Sequence, residues 1–417
     1  MIITHTVGDM QIQEYLPRLV QAQVEALGDV FPVVVVTGAR QTGKSTLVRR
    51  PELFGDHLYL TLDDVLVRDQ ARRDPELLLD RGESLVIDEV QHAPDLLLAI
   101  KRRVDEKRIR GQYVLTGSSN LLVQRNVSES LAGRAGYVPL LPLTRREQLG
   151  QGRAGLWTEL LETPPPDWPR LLEAHGAPME AWQVLAARGG YPTPAHELER
   201  QEQRAHWFAG YTATYLERDL RQLSAIENLA DMRRLMAALC LRLGGLMNQA
   251  ELSRDLGLPS STVQRFMNLL EVSYQLVRLP GYSVNRTRRL IKAPKIYWSD
   301  TGLAMHLGAE SSPRGAHLEN LLLTDLMAWA GTAPHRPNVL HWRTAGGAEV
   351  DFVIELPDRL LPIEVKASRR VTHRDARHLR TFLADYPASP GALLLYDGDE
   401  VFWLDKRILA APWHRVM

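Results

Sequence analysis

Gly38-Ala39-Arg40-Gln41-Thr42-Gly43-Lys44-Ser45-Thr46 follows the apolar run Val33-Val34-Val35-Val36 and fits G-x-x-x-x-G-K-S/T. A strand entering such a loop, with a helix leaving it, is a phosphate cradle. Gly38 and Gly43 let backbone N–H groups close around phosphates, with Gln41, Thr42 and Thr46 completing the loop. Lys44 offers a point charge to the β/γ oxygens, and the Ser45 hydroxyl can ligate Mg²⁺. The run is β-branched, as a buried parallel strand requires. Leu47-Val48-Arg49-Arg50 can continue the helix. ATP with Mg²⁺ is the expected ligand.

A second apolar strand, Ser84-Leu85-Val86-Ile87, ends in Asp88-Glu89. This is the Walker B pattern: Asp88 holds Mg²⁺ through water and Glu89 polarises the attacking water as general base. A third strand, Tyr113-Val114-Leu115-Thr116-Gly117, ends in Ser118-Ser119-Asn120. Ser118 and Asn120 are the candidate sensors of the γ-phosphate or the water. A simple Ser/Asn turn is the other reading of that segment.

At 417 residues the chain exceeds one ordinary core, so several domains are expected. Lys plus Arg total 50, as do Asp plus Glu, which excludes a global basic field; any nucleic-acid contact must come from a local patch. Cys240 is the single cysteine, so no disulfide forms within the chain. This suits a cytoplasmic location. The apolar neighbours Leu239 and Leu241 make Cys240 a core residue. Met1-Ile2-Ile3-Thr4-His5 lacks a signal pattern, and no apolar run reaches the about 18 residues a membrane span needs.

Residues 31–150 alternate strand and helix (33–37, 44–50, 57–62, 85–88, 94–107, 112–117), after a helix within 12–30. This predicts an α/β fold with a parallel P-loop NTPase sheet. The pattern is helical from about 170 to 275. From about 337 it changes to strands at 340–343, 349–356 and 361–366, a helix over 372–385 and a strand at 392–396. The expected units are a P-loop core (1–150), a helical linker or lid (151–230), a winged helix-turn-helix (231–310) and a restriction-endonuclease-like α/β tail (311–417).

Asn248 to Gly257 reads as a helix with its glycine stop, and Pro259-Ser260-Ser261-Thr262 opens a second helix with capping chemistry. That spacing predicts helix-turn-helix, with 260–271 as recognition helix and Ser261, Thr262 and Arg265 facing DNA. Two strands, 275–279 and 295–298, would form a wing. Between them Arg278, Arg286, Arg288, Arg289, Lys292 and Lys295 stand without an acid, which suits phosphate contacts. A wing used for protein contacts is the other reading.

In the tail, Glu319 lies on a helix, Asp351 in mid-strand, and Glu364-Val365-Lys366 closes the next strand. A charge within an apolar strand is costly unless paired or metal-bound. This order matches a PD-(D/E)xK nuclease core. Asp351, Glu364 and Glu319 would hold Mg²⁺ or Mn²⁺, and Lys366 would orient the attacking water. A retained fold with an inactive site is the alternative.

The chain as a whole resembles the bacterial and archaeal AAA-type ATPases that join a P-loop domain to a C-terminal domain of unknown function. The matching residues include Gly38 to Thr46, Leu62-Asp63-Asp64, Ile87 to Gln91, Leu115 to Ser119, Ser130 to Arg134, Gly189-Gly190-Tyr191-Pro192, Tyr215 to Asp219 and Glu349 to Phe352. The resemblance implies a homo-oligomer, a hexameric ring among its forms, with ATP sites near subunit boundaries. No sensor-2 arginine can be placed. Arg134 is the first choice for an arginine finger and Arg125 the second. The functional expectation is an ATP-hydrolysing DNA-binding protein that remodels or translocates on duplex or branched DNA. The alternative is a signalling or defence NTPase switch whose C-terminal half binds protein partners.

Overall fold

The computed structural model describes residues 15–118, 131–175, 180–215, 228–289, 292–333 and 335–417; the side chain of Arg288 is outside the description. The β-branched run becomes β1 (Val33–Thr37), buried at every position. Its side chains alternate between two cores. Val33 and Val35 pack with Leu85, Ile87 and Leu115, while Val34 and Val36 pack with Val86, Val114 and Leu47. A period of two with apolar residues on both faces is what a central parallel strand requires.

β2 (Leu58–Thr61), β3 (Leu85–Asp88), β4 (Tyr113–Gly117) and β5 (Ala135–Pro139) complete a parallel sheet of order β2-β3-β4-β1-β5. β4 therefore separates the P-loop strand from the Asp88 strand, and pairs in register with both. Strand β5, which the sequence pattern did not reveal, covers the other edge of β1. The first described helix is Gln21–Gly28.

The helices Gln249–Leu256 and Ser260–Val272 lie where the spacing predicts them. Gly257, at φ 64°, stops the first in the left-handed conformation that favours glycine. A two-stranded hairpin follows, β6 (Leu276–Leu279) with β7 (Lys295–Trp298), antiparallel.

The tail is a mixed sheet of six strands: β8 (Asn338–Arg343), β9 (Glu349–Leu356), β10 (Arg359–Lys366), β11 (Ala392–Tyr396), β12 (Phe402–Asp405) and β13 (Ile408–Pro412), in the order β12-β13-β11-β10-β9-β8. The last two strands are additions to the expected pattern. The helix Trp157–Glu162 was expected in a linker, but it packs on the tail. Trp157 Nε1 donates to Asp325 Oδ2 (2.6 Å), and Trp329 Nε1 donates to Thr158 Oγ1 (2.8 Å). One apolar core runs from these tryptophans through Phe266 and Leu270 to Leu361, Ile363 and Trp413.

Candidate functional site

The P-loop leaves β1 at Thr37 and turns at Gly38, whose φ is 148°. A Cβ there would lie 2.3 Å from the Leu140 carbonyl oxygen, so only glycine fits. Gln41 (φ 60°) and Gly43 (φ 93°) reverse the chain again before the helix Lys44–Val48. Lys44 is buried, and its Nζ donates to the carbonyls of Gly38 (3.1 Å) and Ala39 (2.8 Å). Thr42 Oγ1 also donates to Ala39 (3.0 Å). The loop is thus curled around its own lysine, and Gln41, Gly43, Ser45 and Thr46 line a cleft of about 790 Å³.

Arg18 braces this loop, and no motif in the sequence marks it. Its guanidinium is buried, donates to the carbonyls of Thr42 (2.7 Å) and Leu141 (2.6 Å), and pairs with Glu147 (3.0 Å).

Asp88 ends β3 with both carboxylate oxygens oriented. Tyr59 OH donates to Oδ2 (2.6 Å), and the Thr116 hydroxyl donates to Oδ1. Glu89 follows at φ 58°, a left-handed position that turns its side chain to the cleft it lines. Its backbone N–H donates to Thr116 Oγ1 (3.0 Å). The Gln91 amide bonds both the Glu89 carboxylate and Ser118 Oγ, the latter at 3.1 Å. Because β4 lies between β1 and β3, Thr116 and Ser118 stand between the P-loop and the acids. Asn120 and Arg125 lie outside the described residues.

The loop's tight turn at Gly38, the inward lysine and the oriented Asp88 fit a nucleoside triphosphate with Mg²⁺, which would supply the transferable phosphoryl group. With such a ligand bound, Lys44 and the loop amides would hold the phosphates and Glu89 would accept a proton from water.

Arg134 lies elsewhere. Its carbonyl accepts from Val33 N–H (3.2 Å), at the end of β1 opposite the P-loop, and its Nε pairs with Asp105 (2.6 Å). It cannot reach the phosphate loop of its own chain.

The wing also departs from expectation, because it is stitched to the tail. Gly281 bridges His341 of β8. Arg289 pairs with Glu355 through two bonds of 2.6 Å, and Lys292 Nζ donates to the Tyr282 carbonyl (2.8 Å). Arg278 pairs with Glu271. Lys295, expected to contact phosphate, is 2% exposed and sits among Glu349 (2.7 Å), Asp351 (2.9 Å) and Glu319 (3.7 Å). The acids that pair with Arg289 and Lys295 come from the tail, and the one that pairs with Arg278 comes from the helix Ser260–Val272. Arg286 is exposed, as are Ser261 and Arg265 on the second helix, with Thr262 half-buried.

This places Lys295 inside the expected metal site. The register pairs Ile363 with Phe352, and the next step sets Asp351 opposite Glu364. Asp351 Oδ2 accepts from Val365 N–H (2.9 Å), and Lys366 Nζ pairs with Glu364 Oε1 (2.6 Å). Tyr297 OH donates to Glu319 (3.0 Å). Burial, followed by the neighbouring Asp351 charge, pushes Glu319 and Glu364 up to about 8. Burial alone would lower Lys295, but Asp351 and the surrounding groups hold it well above its ordinary value. The sequence brings Glu319, Asp351, Glu364 and Lys366 together as expected. The correction concerns the cation. The Lys295 ammonium stands beside Asp351 and Glu319, two of the acids assigned to Mg²⁺ or Mn²⁺, the third, Glu364, pairs with Lys366, and among the described residues no three acids, histidines or cysteines are arranged to hold a metal ion.

A model described as AAA domain matches residues 30–149. Two described as domains of unknown function, DUF8612 and DUF4143, match 179–314 and 314–416. The uncharacterized proteins Mb2031c of Mycobacterium bovis and Rv2008c of Mycobacterium tuberculosis are each 32% identical over 397 residues, covering 93% of this chain and 81% of theirs. The chain belongs to the family of these proteins. Its N-terminal unit is an AAA-type P-loop ATPase domain. Among solved structures, the Walker-type ATPase PABY2304 of Pyrococcus abyssi is similar at 15% identity and a TM-score of 0.40, over 71% of this chain and 98% of that one. The Bacillus subtilis DNA clamp loader delta protein is similar at 15% identity and a TM-score of 0.26, over 74% and 98%. Such distant likenesses carry no functional argument.

The ATPase cleft has a second wall that the sequence reading missed. Pro192, His196, Trp207, Tyr211 and Tyr215 face the P-loop across it. Trp207 stacks on Tyr211 (5.3 Å, 16°), and Tyr211 on Tyr215 (6.4 Å, 7°). Aromatic residues four apart on one helix were the legible signal. The Gly189-Gly190 turn seats this wall. Gly190 N–H donates to Asp300 Oδ2 (2.5 Å), its carbonyl accepts from Leu143 N–H (2.6 Å), and a Cβ would lie 2.4 Å from the Leu143 oxygen. Gly190→Ala is therefore expected to destabilise the protein by about 3 kcal/mol. Denaturant unfolding checks this; a midpoint like wild type would refute it.

No helix among the described residues is long and apolar enough to cross a membrane.

Proposed function

We propose that this ATPase binds DNA through the helix Ser260–Val272 and uses ATP turnover to remodel or move along duplex or branched DNA, in the manner of a helicase or branch-migration motor. The observation that carries the reading is the helix-turn-helix followed by a hairpin, with Ser261 and Arg265 exposed on its second helix and Arg286 exposed beyond it. Homo-oligomerisation and a cytoplasmic setting belong to the same reading. Cutting does not: with Lys295 as the resident cation of the acid cluster, the tail acts as a structural partner of the wing.

ATP turnover measured with and without duplex, single-stranded and junction DNA tests the proposal. Stimulation by one of them is expected, and indifference to all would refute it. Arg265→Ala with Arg286→Ala should weaken binding across all sequences. Each lost phosphate contact should lower the log–log salt slope by about 0.9. An unchanged slope would remove these arginines from the interface.

One observation favours a second reading, an NTPase switch whose C-terminal half takes protein partners. Arg278, Arg289, Lys292 and Lys295 are all engaged within the chain, so four of the six cations of the wing have partners other than phosphate.

A further inference from the structure

The three residues that follow the helix Ser260–Val272 each bond a residue of the nucleotide cleft's wall or of the strand that leads into the P-loop. Ser273 Oγ shares a 2.6 Å hydrogen bond with Tyr215 OH. Tyr274 OH shares one of 2.6 Å with Thr37 Oγ1, the residue before Gly38. Gln275 Nε2 donates to Tyr211 OH (3.0 Å). Tyr211 and Tyr215 line the cleft. Ser273 and Gln275 are buried, so water does not compete for these bonds.

The backbone at this turn is costly. Gln275 N–H donates to the Leu270 carbonyl (2.8 Å), closing the helix end, and Tyr274 stands at φ 58°. Glycine normally fills that position, and a side chain there costs about 1–2 kcal/mol. A bulky residue held in such a conformation is a mark of function when the surroundings impose it. Here the imposing contact is the Thr37 hydroxyl. A glycine would relieve the turn but could not reach the P-loop strand.

We infer that Ser273-Tyr274-Gln275 couples the nucleotide cleft to the exposed helix Ser260–Val272, with Tyr274 a positioning residue for the start of the P-loop. Nucleotide binding rearranges Thr37, Tyr211 and Tyr215, and the turn passes that change to the helix end. By linkage, whatever binds the exposed face of the helix changes nucleotide affinity by the same factor. The inference rests on the ATPase cleft and is independent of which ligand the helix takes.

Hydrogen–deuterium exchange of amides 269–279, with and without AMP-PNP and Mg²⁺, reads the coupling without DNA. In wild type the nucleotide should change exchange by about 5-fold or more. Ser273→Ala with Tyr274→Phe keeps the ring and its packing, and should lose that difference even at saturating AMP-PNP. Tyr274→Gly, which removes the strain, should lose it too. A wild-type protein whose exchange ignores nucleotide, or either variant retaining the full difference, overturns the inference.

Discussion

Glu89→Gln is expected to bind ATP with near wild-type affinity and to hydrolyse it about 10²–10⁴-fold more slowly, the range a general base contributes. The substitution removes the proton acceptor. It leaves untouched Asp88, whose orientation depends on Tyr59 and Thr116, and the loop around Lys44. Lys44→Ala is the complementary case. It removes the cation that curls the loop and the charge the β/γ oxygens would meet, so binding itself should fail, with turnover reduced about 10²–10³-fold or more. Phosphate-release assays beside calorimetric nucleotide titration separate the two. Full-rate turnover by Glu89→Gln would refute its role, and nucleotide binding by Lys44→Ala at wild-type strength would refute the geometry assigned to the P-loop.

Lys295→Met should have the largest effect on stability. The ammonium is buried within 2.9 Å of Asp351 and 2.7 Å of Glu349, and deleting one partner of a buried ionic cluster costs about 3–5 kcal/mol. Denaturant unfolding checks this, and a loss confined to the scale of an exposed pair would show that the cluster is not closed. Lys295→Met with Asp351→Asn should recover part of the loss, because the stranded charge is removed with its partner. Stability should also depend on pH. Glu319 and Glu364 bind their protons more tightly in the folded protein, at about 8, than when unfolded. Their contribution is fully present below the ordinary glutamate range and is lost as pH rises through about 8. The same cluster should bind no Mn²⁺, so the wild type should leave the paramagnetic signal of free Mn²⁺ undiminished in titrations. Mn²⁺-dependent cleavage of DNA, abolished by Asp351→Ala, would overturn the reading of Lys295 as its resident cation.

Arg134 and Lys295 show where sequence reading stops. Arg134 sits in a stretch that matches the family, yet strand register puts it at the far end of β1 and gives it Asp105. Lys295 stands in an apparently acid-free basic run, yet its neighbours in space are three acids at positions 319, 349 and 351.

The sequence by itself determined the phosphate loop, the parallel sheet that presents it, the acids that end β3, the paired helices around Gly257 and the approach of Asp351 to Glu364. Each of these is written in contiguous residues, in one short hairpin or, for the sheet, in apolar strands alternating with helices, where backbone preference and the alternation of side chains act locally. Tertiary structure alone decided that Arg18 braces Thr42, that Lys295 fills the acid cluster and that Tyr274 touches Thr37 across 237 positions. A buried charge or hydroxyl takes whatever partner packing brings within about 3 Å, and nothing in the local pattern of such a residue records which partner that will be.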